Sequence, residues 1–413
     1  MYTLVISVPF RRMNDRVCEV AGDWGKSIVL LRDSLQGRFG PLVIAAPEVA
    51  GDGLIGSQIP MPLHEHEDGV SFVRIGWSHW RARDFWRHVR EVRSRCADLA
   101  SQSDVIHAGI NDLWRPYSVV GFSAGWQANR TTVFVLDTDI VLQMEQLSAG
   151  RGLLSRVRGR VHGSLYSRVA RKAVSRADLA LLKGQALHDR YGRYAKNARD
   201  FYDTSYSDSD VIASQAVEGK CDEVGGGSAL RCLALGRLVP YKGVDHTIRA
   251  VADSAAAGAA ITLDIIGAGP EESALRRLVE QLNASAFVRF LGVRRYGPEL
   301  LREISSYHVF MFTPGGEDTP RALFDGLAGG CALAAYGIPF ARQLAERCNH
   351  GVIVARGDWK GLSASLVGLH RDRARLGSLM RSAAAAAPEH SAETWYRRRA
   401  EWTFEAHERR LRG

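Results

Sequence analysis

From residue 229 onward, short apolar runs alternate with amphipathic stretches. ALRCLALG (229–236), AITLDIIG (260–267), FVRFLGV (287–293), VFMFTP (309–314), CALAA (331–335) and GVIVA (351–355) read as buried strands. VDHTIRAVADSAA (244–256), PEESALRRLVEQL (270–282), PELLREISS (298–306) and PFARQLAERC (339–348) read as helices between them. Continuous apolar strands alternating with helices predict a parallel sheet covered on both faces, with ligands at the carboxyl ends of its strands. The N-terminal half repeats the pattern less regularly. Strands are expected at 2–8, PLVIAA (41–46), SDVIHAG (103–109), TTVFVL (131–136) and ADLALLKG (177–184), with helices over 27–36 and 84–100.

The regular pattern breaks at EGKCDEVGGGSA (218–229), which reads as a hinge-like linker. The expected division is therefore a domain over 1–218, a linker over 219–229, a second domain over 230–388 and a final amphipathic helix over 389–413. Gly267-Ala268-Gly269 is not a dinucleotide fingerprint, because Glu272 stands where a third glycine is needed.

Length and charge narrow the class. A chain of 413 residues holds roughly two to three domains' worth of core. No apolar run of about 18 residues occurs, so no spanning helix is expected. MYTLVISVPFRR has too short an apolar part for a signal peptide. The six cysteines form no C-x-x-C pair, which argues against a zinc or redox site and fits a reducing cytoplasm. A net charge of +9 favours an anionic partner, such as nucleotide phosphates, a lipid phosphate or a membrane surface. No nucleic-acid-binding motif accompanies it.

The candidate chemistry concentrates in TPGGEDTPRALFDGLAGGCALAAY (313–336). Thr319 suits an N-cap and Pro320 a first helical position, and Gly329-Gly330 end the helix. First-turn N–H groups at Thr319–Ala322 form a phosphate site, with Glu317 in front and Asp325 behind. Asp is a weak helix former, so Asp325 inside the helix asks for a purpose, and helical tilt aims it at the mouth of its own helix. The plainer alternative makes Asp325 a solvated helix residue, with Glu317 and Asp318 merely favouring the dipole. A second cluster, Gly236-Arg237-Leu238-Val239-Pro240-Tyr241-Lys242-Gly243, closes the first strand of the same sheet. Arg237 and Lys242 are fixed cations suited to a leaving pyrophosphate.

Together these stretches resemble the retaining glycosyltransferases of family 4, whose motifs are E-x7-E, in a context like EGFGLPLLEAMACGCPV, and GRLxxxKG. Glu317 matches the first Glu, Asp325 replaces the second, and GGCALAAYG follows as the glycine turn and small-residue strand. The resemblance covers 229–358 well and the N-terminal half only in outline. It implies an α/β protein of the GT-B fold: two Rossmann-like, doubly wound parallel-sheet domains facing across a cleft, with a C-terminal helix crossing back.

The implied activity is metal-independent transfer of a sugar, with retention, from a nucleotide diphosphate sugar. The donor is expected to be UDP- or GDP-linked, and the acceptor a glycan, a lipid-linked molecule or a small molecule. No cofactor and no nucleic acid is expected. By the same resemblance Glu317 contacts the transferred sugar and Asp325 the ribose hydroxyls. Arg237, Lys242, Asp318, Thr319, Pro320, Arg321, Ala322, Val293 and Gly22 complete the donor contacts.

Several departures keep alternatives open. The strand TTVFVL usually leads to a His in the family; here Asp137-Thr138-Asp139 follows, and Asp137 or Asp139 is taken as its replacement. D-x-D after an apolar strand also fits a metal-dependent transferase using Asp137 and Asp139. The missing His and the Asp325 substitution equally suit a catalytically degenerate GT-B partner subunit. Ala21-Gly22-Asp23-Trp24-Gly25 reads as a plain turn or a substrate loop, and His64 with His66 as a weak metal pattern. Trp77, Trp80 and Trp86 suit either core packing or stacking on an acceptor sugar. Residues 146–177 contain no acid, and the Arg-rich amphipathic segment 151–176 is expected to reach an anionic membrane or to be an ordinary solvated helix. The expected location is cytoplasmic, with peripheral contact at the inner face of the plasma membrane.

Overall fold

The structure, a computed structural model, describes residues 1–49, 60–65, 67–110, 112–141, 144, 153–316 and 321–412. The chain forms two compact units, Met1–Tyr202 with Tyr396–Gly413, and Asp203–Trp395.

The first unit holds β1 (Tyr2–Val5), β2 (Phe10–Arg12), β3 (Val17–Ala21), β4 (Leu42–Glu48), β5 (Pro60–His64), β6 (Val70–Trp77), β7 (Val105–Gly109), β8 (Thr131–Leu136), β9 (Leu179–Lys183) and β10 (Ala198–Phe201). Their order is β10-β9-β8-β7-β1-β4-β2-β3-β5, with β6 beside β4. The run from β10 to β4 is parallel, as the apolar strands required, whereas β3 pairs antiparallel with β2 and β5. Pro60 and Pro62 lie in β5 at the sheet edge, where a missing N–H costs least. The helix Ala392–Arg412 enters this unit from Tyr396 onward. There His407 Nδ1 lies 2.7 Å from Thr131 Oγ1, and Arg410 pairs with Asp178 at 2.7 Å.

The second unit is the cleaner one. Strands β11 (Leu230–Leu235), β12 (Ile261–Ile266), β13 (Val288–Gly292), β14 (Val309–Phe312), β15 (Ala332–Tyr336) and β16 (Gly351–Val354) form a six-stranded sheet in the order β13-β12-β11-β14-β15-β16. Every pairing is parallel. Leu263, Ile265, Val309 and Met311 from its strands join Ile248, Val251, Leu362 and Leu366 from helices in one buried core. The order reverses at β11 and β14, so the crevice beside their carboxyl ends is the natural ligand position.

Three expectations need correction. The predicted linker is part of the helix Ser214–Gly225, whose Val217, Lys220, Cys221 and Val224 are buried, and the units divide at Tyr202–Asp203. Gly225, Gly226 and Gly227 fall at and beyond the helix end, so their run misleads about what precedes them. Gly22 is no loop residue, because it opens the helix Gly22–Leu35. The helix expected over 84–100 is two helices, Ala82–Arg87 and Val89–Gln102, parted at His88.

Candidate active site

Two backbone loops and one helix meet at the carboxyl ends of β11 and β14. After β11 the chain runs through Gly236 and Arg237 into a single 3-10 turn, Pro240–Lys242, closed by Gly243 in the left-handed conformation at φ 63°. Only glycine fits there: a Cβ on Gly243 would lie 2.0 Å from the carbonyl oxygen of Thr313. The contact is tied by polar bonds. Thr313 Oγ1 donates to the Gly243 carbonyl at 2.7 Å, Thr247 Oγ1 lies 2.7 Å from Thr313 Oγ1, and Gly315 N–H donates to Tyr241 O at 2.7 Å. On the other side a Cβ on Gly267 would lie 1.9 Å from Gly236 O, and Leu238 N–H donates to Ala268 O at 3.0 Å. The Gly-Ala-Gly run, no dinucleotide fingerprint, is what lets the loop after β12 pack this tightly against the loop after β11.

The result is a cavity of about 230 Å³ whose lining includes Gly236, Arg237, Lys242, Thr313, Arg321 and Ala322. Three cations, Arg237, Lys242 and Arg321, border one small space. Arg237 is exposed and donates to the Tyr241 hydroxyl at 3.2 Å, and the Lys242 ammonium lies 5.2 Å from the centre of the same ring. Arg321 donates to Ser205 Oγ at 3.0 Å. Fixed cations of this kind favour a polyanion and, above all, charge that grows on a leaving phosphate.

The helix Ala322–Ala328 packs behind the cavity with Leu323, Phe324 and Leu327 buried. Lys220, itself buried, donates to the carbonyls of Gly329 and Gly330 at 2.8 and 3.0 Å and so closes the far end of this helix. Burial lowers the Lys220 pKa. Nothing in the local sequence marks Lys220, because its partners lie more than a hundred residues on.

Asp325 is not a solvated helix residue; only 4% of it is exposed. Its Oδ1 accepts a hydrogen bond from the Tyr296 hydroxyl at 2.9 Å. Burial pushes its carboxyl up to about 7, against the opposing pull of the Tyr296 bond and the Arg321 charge, while Asp210 adds to the rise. Burial and the neighbouring Asp325 likewise raise the Tyr296 pKa.

Of the expected donor residues, the structure brings together Arg237, Lys242, Arg321 and Ala322. Val293 is highly exposed just beyond β13, on the loop that carries Tyr296. Glu317, Asp318, Thr319 and Pro320 lie outside the described residues. Asp137 follows β8, and Gly22 opens a helix, in the first unit. Asp139 pairs with Arg190 at 3.2 Å. Among the described residues no group of three or more His, Cys, Asp or Glu is placed to hold a metal ion. Tyr296 and Lys220 carry no mark in the sequence analysis; Tyr296 stands three residues after Val293 in a polar loop, which is the local signal it offered.

Residues 229–387 match the family described as glycosyl transferases group 1. The matched residues lie within the second unit. An exopolysaccharide phosphotransferase of Streptomyces coelicolor is 31% identical to the chain over 143 residues, which are 34% of this chain and 15% of that protein. The chain thus matches only a small part of that curated relative. The crystal structure of HepE from Anabaena in complex with UDP aligns with a TM-score of 0.67 at 17% identity, covering 98% of this chain and 100% of the other. Sucrose-phosphate synthase of Thermosynechococcus elongatus aligns with a TM-score of 0.64 at 14% identity, covering 98% of each chain. Likeness at this identity is one of fold, and the fold is GT-B: two Rossmann-like, parallel-sheet units. The matched unit is the one whose sequence pattern was regular, and its cationic cavity lies inside the matched residues.

Proposed function

We propose that the protein is a retaining, metal-independent glycosyltransferase that moves a sugar from a nucleotide diphosphate sugar to a glycan, lipid-linked or small-molecule acceptor. The observation that carries this reading is the convergence of Arg237, Lys242 and Arg321 on one cavity at the carboxyl ends of β11 and β14. HepE is described with UDP and with UDP-glucose, which favours a uridine donor here, with GDP-linked sugars next. Arg237 and Lys242 take the pyrophosphate. By the family resemblance Glu317 holds the sugar hydroxyls and Asp325 the ribose diol, since one carboxylate accepts two hydrogen bonds.

In the reaction the bond from the sugar C1 to the phosphate oxygen breaks, and its electron pair stays on the phosphate. The acceptor oxygen bonds C1 on the same face, and its proton passes to the departing phosphate. The charge that develops is the one the cations stabilise, so they act more on turnover than on ground-state binding. Asp137 and Asp139 are read as acceptor-side or structural groups rather than metal ligands, and Asp139 is already paired with Arg190.

Peripheral contact with an anionic membrane is part of this reading. On the helix Leu153–Arg176, Tyr166, Ala170, Ala173 and Val174 face the core, whereas Val157, Val161 and Leu165 are 48%, 64% and 49% exposed. Arg158, Arg160 and Arg168 are exposed beside them, and Trp114, also exposed, stacks on His162. An apolar stripe flanked by Arg fits the boundary of an anionic bilayer, where a lipid-linked acceptor would be met.

Calorimetric titration with UDP, GDP and ADP, each with and without EDTA, on wild type and Arg237→Ala tests the donor site. Binding of one diphosphate, unmoved by EDTA and weakened in Arg237→Ala, is the expected result. Binding of none points instead to a degenerate partner subunit, and a requirement for divalent ions points to Asp137 and Asp139.

A further inference from the structure

The helix Pro298–Ser305 packs on the helix Ala322–Ala328, and the loop before the first brings Tyr296 to Asp325 on the second. Asp325 lies inside the helix Ala322–Ala328, whose apolar neighbours Phe324 and Leu327 are core residues. Tyr296 sits on the short loop between β13 and the helix Pro298–Ser305. That loop is an exposed one: Val293 is 71% exposed and Tyr296 itself 36%. An exposed loop thus places a phenol on a carboxylate that is 4% exposed. A phenol O–H on a buried carboxylate is the same hydrogen bond that a sugar hydroxyl would make.

Building on the donor reading above, we propose that Tyr296 occupies, in the donor-free protein, the place on Asp325 that a donor ribose hydroxyl takes, so that the loop 293–297 sets affinity for ribonucleoside diphosphates. Donor binding is then an exchange in which one O–H leaves Asp325 as another arrives. The free protein keeps its buried acceptor satisfied, and the nucleotide gains only the difference between two similar bonds. Tyr296 is a positioning residue in this scheme and touches no reacting atom.

The charged and titratable groups around Asp325 set the sign of the pH effect. They are Tyr296 from the loop, Arg321 from the start of its own helix, Asp210 from the 3-10 turn Asp208–Asp210, and Tyr206, which senses the Asp325 charge. A diol donates more strongly to the carboxylate than to the neutral acid. Affinity for a ribonucleotide therefore rises as pH climbs through the value near 7 at which Asp325 ionises. Removing the Tyr296 bond takes away one support of the carboxylate, so the rise moves to higher pH.

The experiment titrates wild type, Tyr296→Phe, Asp325→Asn and Arg237→Ala with UDP, GDP and ADP and with their 2′,3′-dideoxy counterparts, across pH. Melting curves and near-ultraviolet circular dichroism establish that each variant is folded. At alkaline pH, Tyr296→Phe is expected to tighten the ribonucleotide roughly 2- to 10-fold and to leave the dideoxy form unchanged. Asp325→Asn is expected to abolish the pH dependence and most of the discrimination between the two. Arg237→Ala weakens both forms alike and reports on the donor site itself. Unchanged or weaker ribonucleotide binding by Tyr296→Phe, with the Arg237→Ala effect present, overturns the exchange and leaves the donor reading standing. Discrimination that survives Asp325→Asn also overturns it. Failure of every diphosphate to bind wild type removes the donor reading and this inference with it.

Discussion

Thr313 and Gly243 lie in close backbone contact where the loops after two neighbouring strands meet. The Thr313 hydroxyl donates to the Gly243 carbonyl at 2.7 Å, while the place of a Gly243 Cβ would lie 2.0 Å from the Thr313 carbonyl oxygen. The contact holds Lys242, next in the chain, against the cavity that Arg237 and Arg321 share. Gly243→Ala therefore meets two costs, the left-handed backbone and the overlap with backbone oxygen. It should destabilise the second unit by about 3 kcal/mol and weaken nucleotide binding about 10-fold. Gly227→Ala is the control, because φ is 87° there but nothing lies within 4 Å of the added Cβ. It should cost only about 1 kcal/mol and leave binding unchanged. Chemical unfolding and calorimetry separate the two variants.

The cations make a second prediction. Arg237→Ala and Lys242→Ala should each lower kcat about 100-fold, with a smaller effect on KM, because the charge they meet grows as the phosphate leaves. Arg237→Lys should recover only part of the loss, since a point charge replaces a planar fork. EDTA should leave wild-type turnover unchanged. Steady-state kinetics with the nucleotide sugar identified by titration checks all three outcomes.

Acid should weaken the fold through three buried histidines. Burial lowers His107 and His308 to about 3 and His350 to about 4, from an ordinary 6.5. His107 also feels the Arg399 charge, and His308 that of Arg231. Each is neutral when folded, so between its folded value and 6.5 the unfolded chain binds the extra proton. Their stability contribution is complete above 6.5 and is lost as pH falls toward 3. Asp325, raised to about 7, has the opposite sign: its contribution is present in acid and is lost as pH rises through 7. Three groups outweigh one, so Tm should drop by about 5 °C or more between pH 6.5 and 4. A flat Tm across that window would contradict the assignment; His308→Gln should reduce the slope.

The exposed stripe on Leu153–Arg176 predicts binding to vesicles containing phosphatidylglycerol and not to purely zwitterionic ones. Val161→Asp and Leu165→Asp should abolish co-sedimentation without lowering Tm, because both side chains already face solvent. Moderate salt should weaken the binding but not remove it, since the stripe adds an apolar term that salt does not screen.

The sequence by itself determined the regular half of this protein. From residue 229 on, apolar strands and amphipathic helices alternate with a period that permits one architecture, and the structure realises it strand by strand. GRLVPYKG and Thr313 could be read as neighbours for the same reason: strand ends of a parallel sheet converge on one edge. Local signals misled where a segment's fate depends on distant partners. The Gly-rich stretch at 218–229 looked like a linker because its glycines are local, whereas Lys220 is buried by carbonyls at Gly329 and Gly330. Val157, Val161 and Leu165 stand at the spacing of a core stripe, and only the packed fold decided that Tyr166, Ala170 and Val174 meet the core instead. Asp325 read as either a ligand or a solvated residue. The tertiary structure buried it and set Tyr296 upon it, because desolvation and hydrogen bonding depend on neighbours in space, and those two residues stand 29 apart in the chain.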